Sequence, residues 1–328
     1  MDILEAIRAN LLSPAVLFFA LGVLAALARS DLKFPEPLYV GLTIYLLVAI
    51  GFKGGVALAE AGLGVVWLPA LAALALGALI PLWTYPVLRF AGRLSAVDSA
   101  AIAAHYGSVS AVTFIAATHF LKQVGVVPEH YAVAFLAVME SPAIIVGILL
   151  GKSAGGGRQS SWGPAARAAL RDALVGRSVL LLVGSLLIGT LCGPRGMAGV
   201  EGFFVTPFQG VLALFLLEMG MVAARRLDDL RRVGVFLVLF GIGAPLVHGS
   251  LGVLLGQLVG LSLGGATLLG VLAASASYIA APAAMRLSLP EANPTLYLTS
   301  ALAITFPFNI TVGIPVYFGL ARWLYPLS

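Results

Sequence analysis

Ala104-His105-Tyr106-Gly107-Ser108-Val109-Ser110-Ala111-Val112-Thr113-Phe114 lies inside a hydrophobic stretch long enough to cross a bilayer, yet its middle is small and polar. Gly107, Ser108, Ser110 and Thr113 weaken a helix there and present backbone and hydroxyl groups. In lipid such groups persist only when buried in protein or lining a cavity. A second stretch, Ala274-Ser275-Ala276-Ser277-Tyr278-Ile279-Ala280-Ala281-Pro282, repeats the pattern about half a chain later. Paired interrupted helices in corresponding halves point to the substrate site of a secondary transporter.

The rest of the composition agrees. Of the 328 residues 60% are hydrophobic and 10% charged, whereas about a quarter of a soluble domain is charged. Mean hydropathy is +1.04, and apolar windows of about 20 residues recur along the whole length. The expected fold class is an all-α polytopic membrane protein. A single cysteine, Cys192, excludes an internal disulfide framework and a cysteine zinc cluster. The pI near 9.5 invites a nucleic-acid reading, but the basic residues sit at segment ends, as membrane topology requires. Nucleic acid is excluded on that ground. The first apolar run, residues 11–28, ends in a cleavable-looking Ala26-Leu27-Ala28. Its leader carries Asp2 and Glu5 where a signal peptide is basic, so a retained helix is expected.

Ten spans fit, near 13–28, 38–60, 66–89, 98–121, 130–151, 176–192, 207–224, 233–260, 264–286 and 294–322. The longest connection, 152–175, is rich in Gly, Ser and Arg and reads as a cytoplasmic linker with a short amphipathic helix at 164–174. With both termini outside, 14 of the 19 basic residues fall in inner loops, among them Arg29, Arg89, Arg93, Arg225, Arg226 and Arg286. Five spans (1–151) then precede the linker and five (176–328) follow it in opposite orientation. The serine pairs match across the halves, and so do Glu140-Ser141-Pro142 and Thr305-Phe306-Pro307, read as breaks in spans 5 and 10. The spacing predicts a 5+5 inverted repeat with two discontinuous helices.

An interrupted helix leaves the first N–H groups of its second half without partners, and with the macrodipole they form a pole that attracts an anion. Gly107, Ser108, Val109 and Ser110 with Ser275, Ala276, Ser277 and Tyr278 are the candidate substrate-binding residues, Gly107 and Ala276 admitting a close backbone approach. Tight packing of small residues competes as an explanation of either motif alone. Gly252, Gly256, Gly260 and Gly264 recur every fourth residue and read as a helix-packing seam, as do Gly51 and Gly55. Glu140 is the leading ionisable candidate, offering a carboxylate to a hard cation such as sodium, with Thr113, Thr305 and Asn309 as further oxygen donors. The competing reading pairs Glu140 with Lys53; Glu218 and Lys53 are also potential partners. Asp98 reads first as a helix N-cap and second as a site residue. His105 and His248 lack metal-ligand spacing, so hydrogen-bonded roles and no transition-metal site are expected. No nucleophile elbow, phosphate loop or ATPase domain is present, which points away from an enzyme and toward transport driven by an ion gradient or by the substrate's own.

The run His105 to Phe114, followed by Met139-Glu140-Ser141-Pro142, resembles the sodium-dependent bicarbonate transporters known best from cyanobacteria (SbtA-like proteins). That resemblance implies sodium-coupled symport of bicarbonate into the cell, with spans 3–5 and 8–10 as a moving core and spans 1–2 and 6–7 as a gate domain. It also implies elevator-like alternating access, a homotrimer in the inner membrane and a PII-like regulatory partner at the cytoplasmic face. The anion would sit between the broken helices on Ser108, Ser110, Ser275 and Ser277, with sodium beside it. Symport of another small carboxylate anion, a cation/proton exchanger using Glu140 and Asp98, and a non-transporting receptor on the same fold are the alternatives.

Overall fold

The computed structural model describes residues 3–61, 63–154, 171, 175 and 177–325. Most of the 152–175 linker, with the helix expected at 164–174, lies outside the described residues. Every regular element described is helical. A short helix α1 (Ile3–Leu11), not foreseen from the sequence, is tied to the far end of the chain: Asn10 Nδ2 donates to the Ile310 and Thr311 carbonyls at 2.6 and 3.1 Å. Ser13 caps α2 (Pro14–Leu27), accepting from the Val16 N–H at 3.3 Å, with Pro14 where no donor is required. The long helices α3 (Glu36–Ala61) and α4 (Leu63–Pro86) follow, α4 running on through a π turn at Val87–Ala91. The first interrupted segment is α5 (Ala96–Gly107) plus α6 (Ala111–Gln123), and α7 is Val133–Ala154. Beyond the linker come α8 (Arg177–Ala198), α9 (Phe208–Arg225) and α10 (Leu230–Leu258). The second interrupted segment is α11 (Leu263–Ala274) plus α12 (Ala280–Ser288). Last, α13 (Pro294–Leu324) carries two π stretches, Thr299–Thr305 and Asn309–Gly313.

Among the described residues eight helical runs are long and apolar enough to cross a membrane, and α2 and α11 are shorter apolar helices. Leu24, Trp67, Phe90, Leu191, Val235 and Trp323 stand exposed on the outside of the bundle, an apolar surface that suits lipid rather than water. The chain is a multi-pass membrane protein.

Two groups of helices organise the fold. In the first, α3 lies along α8 and α2 along α9, and α9 also touches α3. Glycines set these contacts. A Cβ at Gly55 would meet the Leu186 carbonyl, one at Gly189 the Phe52 carbonyl, one at Gly22 the Leu217 carbonyl and one at Gly220 the Phe19 carbonyl. Backbones so close leave no space for a side chain. Gly51 and Gly55 are therefore the seam expected, and Thr190 Oγ1 adds a 3.1 Å bond to the Gly55 carbonyl. In the second group α4, α5 and α7 pack on one another, as do α10, α11 and α13, while α11 meets α6 and α12 meets α5 and α7. Trp83 Nε1 donates to His248 Nε2 at 3.0 Å and joins α4 to α10, the structural role expected for His248.

Three expectations are corrected. The four-glycine row is not one seam: Gly252 and Gly256 face α11, but α10 stops at Leu258, Gly260 turns the chain at φ +79°, and Gly264 packs on Pro128. Pro142 does not break α7, which runs on to Ala154; the lost donor leaves the Val138 carbonyl without its helical partner and no more. Around Pro307 the helix widens into π turns instead of breaking. The interrupted run Ala96–Gln123 is the most enclosed: 94% of its apolar window is buried, against 28% for Val179–Ala198. Irregular backbone at membrane depth needs that shielding.

Candidate substrate site at two interrupted helices

The first break begins where α5 ends at Gly107 and the chain extends through Ser108 and Ser110. Ser110 then caps α6: its Oγ accepts from the Thr113 N–H at 3.2 Å and from the Thr113 hydroxyl at 2.9 Å. At the second break α11 ends at Ala274, whose carbonyl accepts from Asn309 Nδ2 at 2.8 Å, and Tyr317 holds Asn309 by donating to its Oδ1 at 3.0 Å. Ser277 Oγ accepts from the Ala281 N–H at 3.2 Å. The breaks are bonded to each other. The Ser110 N–H donates to Ser275 Oγ at 2.9 Å, the Ser110 hydroxyl donates to the Tyr278 hydroxyl at 3.3 Å, and the Ser277 N–H donates to the His105 carbonyl at 2.8 Å.

Beside this junction lies a cavity of about 20 Å³. Val109, Ser110 and Ala111 line it from the first break and Ser277, Tyr278, Ile279 and Ala280 from the second. Glu140 and Leu136 of α7 line it too, and Leu47 of α3 and Leu182 of α8 close it from the other helix group. Ala111 and Ala280 are the first residues of their half-helices, where N–H groups have no intrahelical acceptor. The two poles are unequal, because Pro282 at the third position of α12 has no N–H and Ser277 already occupies that of Ala281. Glu140 is buried at 6% exposure and makes no hydrogen bond or ion pair among the described residues. The Glu140–Lys53 pair is thus absent, and so is Glu218–Lys53. The Lys53 ammonium lies 5.0 Å from the centre of the Phe208 ring, and Glu218 Oε2 has no partner among the described residues.

Of the candidates from sequence, Val109, Ser110, Ser277, Tyr278 and Glu140 line the cavity, and Ser275 and Thr113 are bonded to Ser110. Asn309 holds the end of α11. Thr305 is engaged elsewhere, donating to the Gly241 carbonyl and sharing a 2.7 Å bond with the Tyr106 hydroxyl. Ser108 and Ala276 are buried off the cavity, and the Ser108 hydroxyl has no partner among the described residues. Gly107 is small because of two neighbouring helices: a Cβ there would meet the Pro81 ring of α4 and, at 3.0 Å, the Ala143 Cβ of α7. Gly107→Ala is expected to destabilise by about 1–3 kcal/mol through overpacking, read as a lowered thermal unfolding temperature. Asp98 is far from the junction, ten residues or about 15 Å along α5 from Ser108. Ser95 is the N-cap there. Its Oγ accepts from the Asp98 N–H at 3.0 Å and donates to Asp98 Oδ2 at 2.6 Å, while Asp98 Oδ1 accepts from the Asn293 N–H at 2.8 Å. Asp98→Ala is expected to lower stability by about 1 kcal/mol and to leave the sodium dependence of transport unchanged, which a sodium titration of uptake checks. Leu47, Leu136 and Leu182 could not be read from the sequence, since any leucine on those helices carries the same signal. Ala111 and Ala280 could have been, as the first residues after each break.

A helical membrane protein with two interrupted helices converging on one enclosed cavity has the build of a secondary transporter. Over residues 14–322 the sequence matches the Na+-dependent bicarbonate transporter superfamily, and the chain belongs to that family. No individual curated protein matches it. The protein is a membrane transporter of the family that its serine motif resembles.

Proposed function

We propose that this protein is a symporter that carries bicarbonate into the cell with sodium. The observation that carries this reading is the convergence of both helix breaks and the unpaired Glu140 on one buried cavity. The N–H groups opening α6 and α12, with the hydroxyls of Ser110, Ser277 and Tyr278, suit a small anion. Sodium beside the Glu140 carboxylate would balance a charge that is costly to bury alone. Coupling then has an electrostatic cause: an ionised Glu140 repels the anion until a cation lies between them. Each ligand strengthens the binding of the other by the same factor.

The cavity holds about one water molecule at its size. Bicarbonate has four heavy atoms, so loading requires Leu47 and Leu182 to separate from the two breaks. This favours an elevator-like displacement of a core (α4–α7 and α10–α13) against a gate domain (α2, α3, α8 and α9). An inverted repeat is supported by the pairing of helices: α2 with α9 and α3 with α8 are exchanged when the first five spans are mapped onto the last five. The positive-inside bias supports both termini outside a bacterial plasma membrane. The homotrimer and the PII-like regulator are further parts of the proposal that rest on the family resemblance.

The test is labelled bicarbonate entry into vesicles with and without an inward sodium gradient. Sodium-dependent accumulation supports the reading; absence of accumulation by folded protein sinks it. Competition by other small carboxylates separates the substrates. The unpaired Glu140 would also serve a cation/proton exchanger, which proton release on adding sodium without any anion would reveal.

A further inference from the structure

A second, larger cavity of about 620 Å³ opens at the end of the molecule that carries the 124–129 loop. It shares two lining helices, α3 and α6, with the small one. On α3, Ile50 lines the large cavity and Leu47 the small one; on α6 the corresponding residues are Phe114 and Ala111. Three residues are about one helical turn, or 5 Å, so a single layer of side chains, the buried Ile50 and Phe114, separates the two spaces.

The charged groups in this cavity are unevenly placed. Lys53 is half-buried toward its inner end, three residues past Ile50, with its ammonium against the Phe208 ring, and Lys122 stands at the mouth. Neither makes an ion pair among the described residues. The lining also holds two carboxylates, Glu60 and Glu129. Glu60 is exposed seven residues, or about 10 Å, further out on α3 than Lys53. Glu129 is turned toward the start of α11, accepting from the Ser262 N–H at 2.5 Å and from its hydroxyl at 2.9 Å. His119, three residues before Lys122 on α6, has an Nδ1 with no partner among the described residues. A lysine inside an apolar span without a counter-ion is costly unless its site uses the charge. Apolar walls around an unpaired charge also focus its field on a passing ligand.

We propose that this cavity is an anion-collecting vestibule, in which Lys53 and Lys122 hold a small carboxylate-like anion one side-chain layer away from the helix breaks. The choice of anion rests on the transport reading above; the vestibule itself does not.

The test therefore reads charge selectivity without transport. In full-length protein with Cys192→Ser, a reporter Thr118→Cys is placed in the cavity wall. Its modification is timed with a sulfonate-bearing and a trimethylammonium-bearing methanethiosulfonate. Lys53→Gln with Lys122→Gln is expected to lower the ratio of anionic to cationic rates about tenfold. Lys53→Arg with Lys122→Arg, and equal thermal unfolding temperatures, separate charge loss from misfolding, and added salt is expected to shrink the ratio in the lysine protein. A ratio unchanged by the glutamine pair overturns the proposal. In vesicles the glutamine pair is also expected to slow uptake from subsaturating bicarbonate about fivefold. Wild-type protein that moves no bicarbonate but keeps the anionic preference would defeat only the substrate reading.

Discussion

Glu140→Gln is expected to abolish the sodium stimulation of bicarbonate uptake, a loss of about 100-fold at saturating sodium, or about 2.7 kcal/mol of coupling. The replacement keeps the shape of the side chain and removes its charge. Sodium then loses a ligand, and the anion loses the reason to require sodium. Stability gives an independent signature. A buried carboxylate with no hydrogen bond or ion pair among the described residues carries an uncompensated desolvation cost. The glutamine variant is therefore expected to melt at or above the wild-type temperature without sodium, and to lose the stabilisation that sodium gives the wild type. A sodium titration of uptake and thermal unfolding together make the measurement. Unchanged sodium activation would remove Glu140 from the coupling site, whereas parallel loss of uptake and of folding would indicate a structural role.

The second large effect is expected at the junction. Ser110→Ala removes the cap of α6, the partner of the Thr113 hydroxyl and the link to Tyr278. Loss of the cap alone costs about 1 kcal/mol, too little to unfold the protein but enough to shift donors that must lie within about 0.5 Å of their ligand. Uptake is expected to fall at least about tenfold in Ser110→Ala, and to background when Ser275→Ala also removes the acceptor of the Ser110 N–H. Ser108→Ala is the contrast. Its hydroxyl is fully buried, unpartnered among the described residues and off the cavity. Removing it is expected to keep uptake within about twofold, since replacing an unsatisfied buried group is close to neutral. Equal losses at Ser108 and Ser110 would place the anion on the α5 side of the break instead.

Much of this was legible in the sequence, for identifiable reasons. Hydrocarbon permits so few backbone solutions that a polar Gly-Ser-Val-Ser run, repeated as Ser-Ala-Ser in the other half, points to shielded interruptions. Both breaks are where that argument puts them, between Gly107 and Ala111 and between Ala274 and Ala280. Proline was the weaker signal. Pro142 and Pro307 each remove one donor, but helices packed around them can absorb that loss, so α7 continues and α13 widens into π turns. Lys53 misled in another way: charge complementarity suggested a carboxylate partner, whereas its helix position turns the ammonium onto Phe208 and into the vestibule.

By itself, then, the sequence determined that the chain crosses a membrane many times, that its backbone opens at two places, and that the two serine pairs (Ser108 and Ser110, Ser275 and Ser277) and Glu140 are among the groups to watch. These follow from local chemistry: apolar length, missing donors and the cost of burying charge. Only the tertiary structure decided that Ser110 bonds Ser275, that Leu47 and Leu182 close the cavity, that Gly107 is small for the sake of Pro81, and that Asp98 belongs to a cap about 15 Å from the junction. Those are relations between segments distant in the chain, fixed by which helix faces meet, and a one-dimensional pattern of apolar and polar residues leaves that choice open.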